Sequence, residues 1–341
     1  MGQHNFKYSN RFELESGKVL PELNITYHTF GKLSPKADNI IWVCHALTAN
    51  SDVSSWWPGT VESGRFLDPN KYFIVCANIL GSHYGTTGPL SLNQATGIPY
   101  YGSFPRITVR DAIKVHRLLA EYLQIKHVKM LIGSSIGGFQ VSEWLIMDPL
   151  FAEKAVIIAS APKAEAWVVA FNESQRMAIE SDQTSGALSP DAGAKGMATA
   201  RSIALLSYRC RSGYNNTQSE SEDDNYKISD FRASSYQRYQ GKKLTDRFNA
   251  YSYHRLTEMI DSHNISRGRI SMEKALEKVK AKVALVAISS DILYPISSHL
   301  EFHKYIKNST LHILESEFGH DGFLVEHEKL NKIIVNFLET I

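Results

Sequence analysis

Six short apolar runs rich in β-branched residues recur along the chain, with amphipathic patterns between them. The runs are NIIWVCHAL from 39, YFIVCAN from 72, VKMLIGS from 128, AVIIAS from 155, VALVAIS from 283 and TLHILE from 310. VRDAIKVHRLLAEYL from 109 and KLNKIIVNFLETI from 329 instead repeat apolar residues at the spacings of three and four that are typical of helices. Continuous apolar strands that alternate with helices indicate a parallel sheet covered on both faces. The sequence therefore predicts an α/β fold with a mostly parallel sheet.

Two stretches depart from this alternation. FELESGKVLPELNITYHTFG, from residue 12, alternates apolar and polar residues around a Gly-Lys turn, which predicts an antiparallel hairpin at the sheet edge. Residues 165–275 contain helical patterns but no strand run, and the polar tract NNTQSESEDDNYK within them predicts a mobile loop. We therefore predict an α/β core formed by residues 1–164 and 276–341, with residues 165–275 inserted as a helical lid over the strand ends.

The composition favours a soluble protein that acts on small molecules. Among 341 residues, 43% are hydrophobic and 21% are charged, and the formal net charge of +2 comes with no cluster of Lys and Arg that would bind nucleic acid or membranes. No apolar stretch approaches the roughly 18 residues that span a bilayer, and the N-terminus lacks the apolar region of a secretory signal. Cys44, Cys76 and Cys210 include no closely spaced pair for a metal or redox site. We expect a cytoplasmic protein with no nucleic-acid, membrane or metal partner.

LIGSSIGGFQ, from residue 131, places two serines between glycines where the strand VKMLIG gives way to the helix GGFQVSEWLIM. Gly133, Ser135 and Gly137 match the Gly-x-Ser-x-Gly pattern of a nucleophile elbow, in which a strained turn presents the serine hydroxyl to substrate beside a helix N-terminus. Ser134 would then face away from the site. A purely structural Gly-Ser turn is the alternative, because glycine and serine are common after strands.

A serine nucleophile needs a base to take its proton and an acid to orient that base. In this fold class the acid and then the histidine follow the nucleophile along the chain. Asp291 in VALVAISSDILYP and His320 in LESEFGHDGFL occupy such positions, each after a strand run. The backbone N–H groups of Ile136, which follows the nucleophile, and of Leu47, in the loop after an earlier strand, are the expected oxyanion hole. His45 in the same loop is expected to form structural hydrogen bonds only.

These features resemble those of the homoserine O-acyltransferase family, whose best-known members are the homoserine O-acetyltransferases of methionine biosynthesis. The resemblance runs nearly end to end through the motifs FELESGKVL, ITYHTFGKL, HALTANS, NILGSHYGTTGP, FPRITVRDAI, IGSSIGGFQ, ARSIALLSYR, YQGKKLTDRF, SSDILYP and EFGHDGFL. It implies an α/β-hydrolase fold with a helical lid, and homodimers formed through that lid. It also implies homoserine and acyl-CoA as substrates, with acetyl-CoA as the expected donor, and no permanently bound cofactor.

The resemblance further implies roles for individual residues. It implies the same triad, and it implies that Arg201 binds the carboxylate of the amino-acid substrate through a bidentate guanidinium. Tyr208, one heptad further along the same helical segment, would face the same pocket, and Asp321, beside the base, would bind the ammonium group of the substrate. Without the resemblance, Arg201 and Tyr208 would be an ordinary pair on a helix surface.

The chain departs from the family pattern at four positions and in the loop between Tyr208 and Tyr236. Ser134 and Ile136 stand where the family usually has glycine before and methionine after the nucleophile, a change that should leave the turn intact. RFNAYSY replaces the family's RFDANSY, with Asn249 for an aspartate and Tyr251 for an asparagine. The last two fall in the predicted lid, so we expect them to affect the preference for acceptor or acyl donor more than the chemistry.

We therefore predict a ping-pong acyltransferase, in which Ser135 takes an acyl group from acyl-CoA and homoserine removes it with His320 as base. The alternatives are a serine hydrolase of the same fold, which uses water as acceptor, a serine or homoserine O-succinyltransferase, and a binding protein on a hydrolase scaffold. Lys242, Lys243 and Arg247 are candidate contacts for the coenzyme A phosphates, although a solvated basic face is the simpler explanation.

Overall fold

The computed structural model describes residues 2–221 and 226–340. Its strands are β1 (Gly2–Tyr8), β2 (Phe12–Glu13), β3 (Val19–Leu20), β4 (Leu23–Phe30), β5 (Ile40–Cys44), β6 (Phe73–Ala77), β7 (Leu92–Asn93), β8 (Ile98–Pro99), β9 (Val128–Ser134), β10 (Ala152–Ile158), β11 (Lys282–Ile288) and β12 (Ser309–Leu314). Eight of them form one sheet in the order β1, β4, β6, β5, β9, β10, β11, β12. β4 is antiparallel to both of its neighbours, and the pairs from β6 to β12 are parallel.

All six apolar runs form strands of this sheet, because the sheet is covered on both faces. In β5, Ile40, Trp42 and Cys44 belong to one hydrophobic core, whereas Ile41 and Val43 belong to a second core. Successive side chains of a strand point to opposite faces, so the two cores lie on opposite sides of the sheet. The prediction of a mostly parallel α/β sheet is confirmed.

The predicted N-terminal hairpin is only partly correct. β2 and β3 do pair around a turn at Gly17, which has a φ of 78°, but they form a separate two-stranded sheet. β4 instead joins the main sheet, where its edge partner is β1, with Phe6 opposite Ile25. Sequence periodicity did not identify β1, because no residue of GQHNFKY is fully buried and the strand therefore carries little apolar signal.

Helices cover both faces of the sheet. They are α1 (Val53–Trp56), α2 (Val109–Tyr122), α3 (Ile136–Met147), α4 (Ala166–Glu180), α5 (Ala194–Tyr208), α6 (Arg211–Gln218), α7 (Arg232–Thr245), α8 (Ala250–Asp261), α9 (Met272–Leu276), α10 (Ile296–Tyr305), α11 (Gly322–Val325) and α12 (His327–Glu339). α2 and α3 contribute to the core that contains Trp42, and α12 covers the other face with Leu330, Ile334 and Phe337. None of the described helices is long and apolar enough to cross a membrane.

Residues 165–275, here called the helical segment, contain α4 to α8 and, where they are described, no strand. The tract NNTQSESEDDNYK, predicted to be a mobile loop, starts inside α6 at its first four residues, and its residues 222–225 lie outside the described part of the chain. The division of the chain into core and lid at residues 164 and 276 stays a prediction.

A buried lysine anchors the end of the chain. Lys154 in β10 is only 4% exposed, and its Nζ donates to the backbone oxygens of Phe337 (3.2 Å), Leu338 (2.7 Å) and Thr340 (2.7 Å). The last carbonyl groups of a helix have no partners within the helix, and a cation there also interacts favourably with the negative end of the helix dipole. Lys154 therefore holds the C-terminal end of α12 against the sheet.

We expect Lys154→Met to lower the free energy of unfolding by about 1–3 kcal/mol, because it keeps the aliphatic stem but removes the donor to one buried and two partly buried carbonyl groups. Hydrogen exchange should show the loss of protection concentrated in the last turns of α12. Lys282→Met is the matched control, since Lys282 lies opposite Lys154 on β11 but is exposed. Equal losses in the two variants would contradict the anchoring role.

Candidate active site

The turn between β9 and α3 has the geometry of a nucleophile elbow. Ser135 has φ 57° and ψ −124°, a backbone conformation that is rare for a residue with a side chain. The glycines on either side allow the turn to close, because a Cβ at Gly133 would lie 2.3 Å from the carbonyl oxygen of Gly137. A Cβ at Gly137 would in turn lie 2.2 Å from the carbonyl oxygen of Cys44 at the end of β5. The Gly-x-Ser-x-Gly spacing is therefore a steric requirement of this turn.

The two adjacent serines have different surroundings. Ser134 is fully buried, and its Oγ has no hydrogen-bond partner among the described residues. Ser135 is 8% exposed and lines a cavity of about 550 Å³. The hydroxyl that can reach a substrate is thus that of Ser135.

This cavity brings together most of the residues that the sequence singled out. The predicted site residues that line it are Leu47, Ser135, Arg201, Tyr208, His320 and Asp321. Asp291 lies behind His320, and Ile136 is fully buried at the start of α3. A larger concavity of about 690 Å³ between α5 and α7 contains none of these residues. No group of three or more His, Cys, Asp or Glu side chains in the described part of the chain is arranged to hold a metal ion.

His320 and Asp291 form a buried pair. The Nδ1 of His320 lies 2.7 Å from the Oδ2 of Asp291, and the side chain of each is at most 4% exposed. The Oδ1 of Asp291 accepts from the backbone N–H groups of Leu293 (2.7 Å) and Tyr294 (3.0 Å). With Nδ1–H donating to this carboxylate, the Nε2 of His320 is left as the acceptor, which is the tautomer that a general base needs.

The loop that carries His320 is tied to the loop that carries Asp291 by serines that the sequence analysis did not single out. The Oγ of Ser290 donates to the carbonyl of Ser316 (2.6 Å) and accepts from the backbone N–H of Gly319 (3.0 Å). The Oγ of Ser289 accepts from the backbone N–H of Ser316 (3.1 Å). The one available signal was the pair of serines directly before the acid in SSDILYP.

The electrostatic surroundings of His320 favour its protonated form. Burial by itself lowers the pKa of His320, and three aromatic rings, those of Tyr208, Tyr294 and Phe323, lie within 5.6 Å of the imidazole ring centre. The carboxylates of Asp291 and Asp321 outweigh this effect, so the pKa of His320 lies above its usual value of 6.5. The site therefore stabilises an imidazolium, which is the species formed when the base takes a proton.

Two backbone N–H groups are available near Ser135. Ile136 is the first residue of α3, and Leu47 lies in the turn after β5. Among the described residues, neither backbone N–H donates a hydrogen bond to another loop or turn. The side-chain amide of Gln140 donates to the carbonyls of His45 (3.3 Å) and Ile136 (3.2 Å), so it links the two backbone segments. An oxyanion hole requires backbone N–H donors without an acceptor in the protein, and the role of these two groups stays a prediction.

His45 is held entirely by backbone groups. Its Nδ1–H donates to the carbonyl of Ala46 (2.8 Å), and its Nε2 accepts from the backbone N–H of Ile79 (3.0 Å). Burial lowers the pKa of His45 to about 4, which keeps the ring neutral. Both ring nitrogens are thus committed to structural hydrogen bonds, as expected from the sequence.

α5 contributes the guanidinium of Arg201 to the cavity wall. The guanidinium of Arg201 lies 5.5 Å from the ring centre of Tyr208, and no carboxylate of the described residues lies within 4 Å of it. Asp321 pairs through its Oδ2 with the Nε of Arg209 (3.2 Å), a residue that the sequence analysis missed. Arg201 therefore offers the cavity a guanidinium without a carboxylate partner among the described residues, whereas the carboxylate of Asp321 is already partly neutralised.

The three basic residues considered as phosphate contacts differ in their surroundings. Lys243 and Arg247 line the Ser135 cavity, whereas Lys242 lines the other concavity and pairs with Asp246 (2.7 Å). Arg247 donates to the carbonyl of Thr48 (2.5 Å) and to the hydroxyl of Tyr84 (2.7 Å). Arg247 thus connects the helical segment to the loop after β5 and is not a free cation.

Asn249 and Tyr251 do not line the Ser135 cavity. Asn249 caps α8 by accepting from the backbone N–H of Ser252 (2.8 Å), and its Nδ2 donates to the Nδ1 of His83 (2.8 Å). Tyr251 packs against Tyr101 and donates its hydroxyl to the carbonyl of residue 187. Neither departure from the family pattern therefore contacts the space in which a substrate would bind.

Known proteins resemble this chain over nearly its whole length. A family model described as the alpha/beta hydrolase fold matches residues 39–327. A homoserine O-acetyltransferase of Cyclobacterium marinum is 44% identical over 337 residues, which cover 99% of this chain and 95% of that protein. The chain belongs to the homoserine O-acetyltransferase family. The resemblance seen in the sequence is thereby confirmed, and the chain is an enzyme.

Solved structures agree on the fold. The homoserine O-acetyltransferase from Bacillus anthracis has a TM-score of 0.91 at 23% identity, with 99% of this chain and 98% of that chain covered. An acetylester hydrolase from Corynebacterium glutamicum has a TM-score of 0.87 at 20% identity, with 99% and 96% covered. These likenesses confirm the α/β-hydrolase fold, which members of the homoserine O-acetyltransferase family share with ester hydrolases.

We expect Ser135→Ala to abolish covalent labelling by a fluorophosphonate, because Ser135 lines the cavity with His320 and the neighbouring Ser134 does not. Ser134→Ala is the matched control and should be labelled at close to the wild-type rate. Intact-protein mass spectrometry measures both, and thermal unfolding checks that each variant is folded. Equal loss of labelling in the two variants would mean that the wrong hydroxyl has been assigned.

The rate of this labelling should fall as the pH is lowered, because His320 must be neutral to take the serine proton. Burial lowers the pKa of His320 but the two carboxylates raise it more, so the midpoint should lie above pH 6.5. Asp291→Asn should reduce the rate on the order of 10⁴-fold, since the amide neither orients nor stabilises the imidazolium. A midpoint below 6.5, or near-normal labelling of Asp291→Asn, would contradict the proposed pairing.

Proposed function

We propose that this enzyme transfers an acetyl group from acetyl-CoA to the side-chain hydroxyl of homoserine through a covalent intermediate on Ser135. One observation carries the proposal: Arg201 and Asp321 line the same cavity as Ser135 and His320, and Arg201 has no carboxylate partner among the described residues. A guanidinium and a carboxylate match the two charged groups of an amino acid. Water or a simple alcohol would need neither.

In the first half-reaction the Oγ of Ser135 attacks the thioester carbonyl while the Nε2 of His320 takes its proton. The negative charge that develops on the carbonyl oxygen is stabilised by the N–H groups of Leu47 and Ile136. When the intermediate collapses, the carbon–sulfur bond breaks and the thiol leaves with the proton from His320. The products are free coenzyme A and an acetyl ester on Ser135.

In the second half-reaction Arg201 binds the carboxylate of homoserine and Asp321 binds its ammonium group. The substrate hydroxyl gives its proton to His320 and attacks the ester carbonyl on Ser135. Collapse of this intermediate returns the proton from His320 to the Oγ of Ser135 and releases O-acetylhomoserine. The same base and the same oxyanion site thus serve both halves of a ping-pong reaction.

The same proposal covers the lid, the oligomeric state, the compartment and the co-substrate. Residues 165–275 would act as a lid over the cavity, and two copies of the chain would pair through it. The enzyme would work in the cytoplasm, in methionine biosynthesis, with acetyl-CoA as a co-substrate and no permanently bound cofactor. Lys243, which lines the cavity, is the residue of the basic group best placed to contact the coenzyme A phosphates.

Hydrolysis is the second candidate function, because a protein named as an acetylester hydrolase shares the fold. Transfer to homoserine and transfer to water differ in whether an amino acid occupies the Arg201 side of the cavity. Thiol release should be measured with acetyl-CoA and with succinyl-CoA, each with homoserine, with serine or with no acceptor. Turnover that requires homoserine supports the proposal, whereas equal turnover without any acceptor would support the hydrolase.

We expect Arg201→Ala to lower kcat/KM for homoserine roughly thirty- to a thousandfold, because a charged and partly buried contact is worth on the order of 2–4 kcal/mol. Arg201→Lys should lie between this variant and the wild type, since it keeps the charge but loses the planar fork. Both variants should still release one burst equivalent of thiol from acetyl-CoA alone, as this step does not involve the acceptor.

Arg238→Ala is the matched control, because Arg238 lines the other concavity and not the Ser135 cavity. It should leave the burst and the acceptor kinetics unchanged. Unaltered acceptor kinetics in Arg201→Ala would remove the main support for an amino-acid acceptor.

A further inference from the structure

Arg209 directly follows Tyr208 at the end of α5, and its side chain turns towards the loop that carries the base. Its Nε lies 3.2 Å from the Oδ2 of Asp321, and its Nη2 donates to the hydroxyl of Tyr236 at 3.4 Å. The side chain is 25% exposed, so the ion pair with Asp321 is largely screened from solvent by protein. Arg209 does not line the Ser135 cavity, so it contacts Asp321 from outside that cavity.

Asp321 has a second oxygen that is not used by the protein. Its Oδ1 forms no hydrogen bond with the described residues, and Asp321 itself lines the cavity. A carboxylate on a flexible Cα–Cβ bond has several rotamers, and an ion pair with Nε on one oxygen selects among them. The pair with Arg209 thus leaves Oδ1 as the unpaired oxygen of a residue that lines the cavity.

We propose that Arg209 is a positioning residue, which holds Asp321 so that its unpaired oxygen meets the ammonium group of the amino-acid acceptor. The inference rests on the proposed function, because it assigns Asp321 to an amino-acid substrate. Arg209 does not touch that substrate. Its effect on acceptor binding is exerted through Asp321 alone.

The same pair affects the charge that His320 experiences. The titratable and charged groups that face His320 from the surrounding elements are Asp291, Asp321, Tyr208, Tyr294 and His299. Burial lowers the pKa of His320, and the two aspartates raise it. A guanidinium bound to Asp321 offsets part of that carboxylate's charge, so removing it should raise the pKa of His320 further. Removing the Asp321 carboxylate should lower it.

The test compares Arg209→Gln and Arg209→Lys with Arg211→Gln, which removes the same charge from an exposed residue two positions along the chain. We expect Arg209→Gln to raise the KM for homoserine roughly 3- to 30-fold, which falls within the range for coupled residues of one ion-pair network, with the acetyl-CoA burst retained. Arg209→Lys should restore part of the acceptor affinity. Arg211→Gln should match the wild type, and thermal unfolding should show that all variants are folded.

The pH dependence of fluorophosphonate labelling gives a second readout that a merely structural role would not move. Its acid midpoint should shift to higher pH in Arg209→Gln and to lower pH in Asp321→Asn. An active Arg209→Gln enzyme with unchanged homoserine KM, or midpoints that shift in the same direction in both variants, would overturn the inference. A wild-type enzyme that labels normally but does not acylate homoserine would instead overturn the proposed function, and the midpoints would still test the Arg209–Asp321 pair.

Discussion

The site depends on one close backbone contact, between the N-terminus of α3 and the carboxyl end of β5. The carbonyl oxygen of Cys44 leaves no room for a Cβ at Gly137, so α3 can approach β5 only with glycine there. This approach keeps Ser135 in a conformation that costs on the order of 1–3 kcal/mol. Burial of α3, whose residues from Ile136 to Ile146 are all buried, supplies the compensating stability. The side chain of Ser135 and the N–H of Ile136 are therefore positioned by the same packing.

The parallel part of the sheet brings the remaining groups to this contact. Leu47, Ser135, Asp291 and His320 follow β5, β9, β11 and β12 respectively, and the carboxyl ends of parallel strands meet at one edge of a sheet. Loops alone would not hold an imidazole at hydrogen-bond distance from a carboxylate. The Ser290 hydroxyl donates to the carbonyl of Ser316 and the Ser289 hydroxyl accepts from its N–H, so the loops that carry Asp291 and His320 are coupled.

Charge inside the cavity is balanced in a way that suits an amino-acid acceptor. His320 lies among aromatic rings, where burial opposes its protonation, and two nearby carboxylates reverse that effect. One of those carboxylates, Asp321, is paired with Arg209, whereas Arg201 faces the cavity with no carboxylate of the described residues beside it. The triad is compatible with hydrolysis or transfer, because both need the same nucleophile and base. Under the proposed function, Arg201 on α5 and Asp321 after the base are the groups that distinguish transfer to homoserine from hydrolysis.

Local sequence patterns were sufficient for the six apolar strands and for the elbow at Ser135, because hydrophobic periodicity and steric demand for glycine are expressed among neighbouring residues. The edge strand β1 was not predicted, because it is mostly exposed and lacks an apolar stripe. The proposed roles of Arg201 and Asp321 followed only from the family resemblance. The sequence by itself determined the fold class, and it predicted Ser135, Asp291 and His320 as nucleophile, acid and base. Only the tertiary structure decided that Arg209 meets Asp321, because an ion pair between residues far apart in the chain leaves no periodic pattern in either segment.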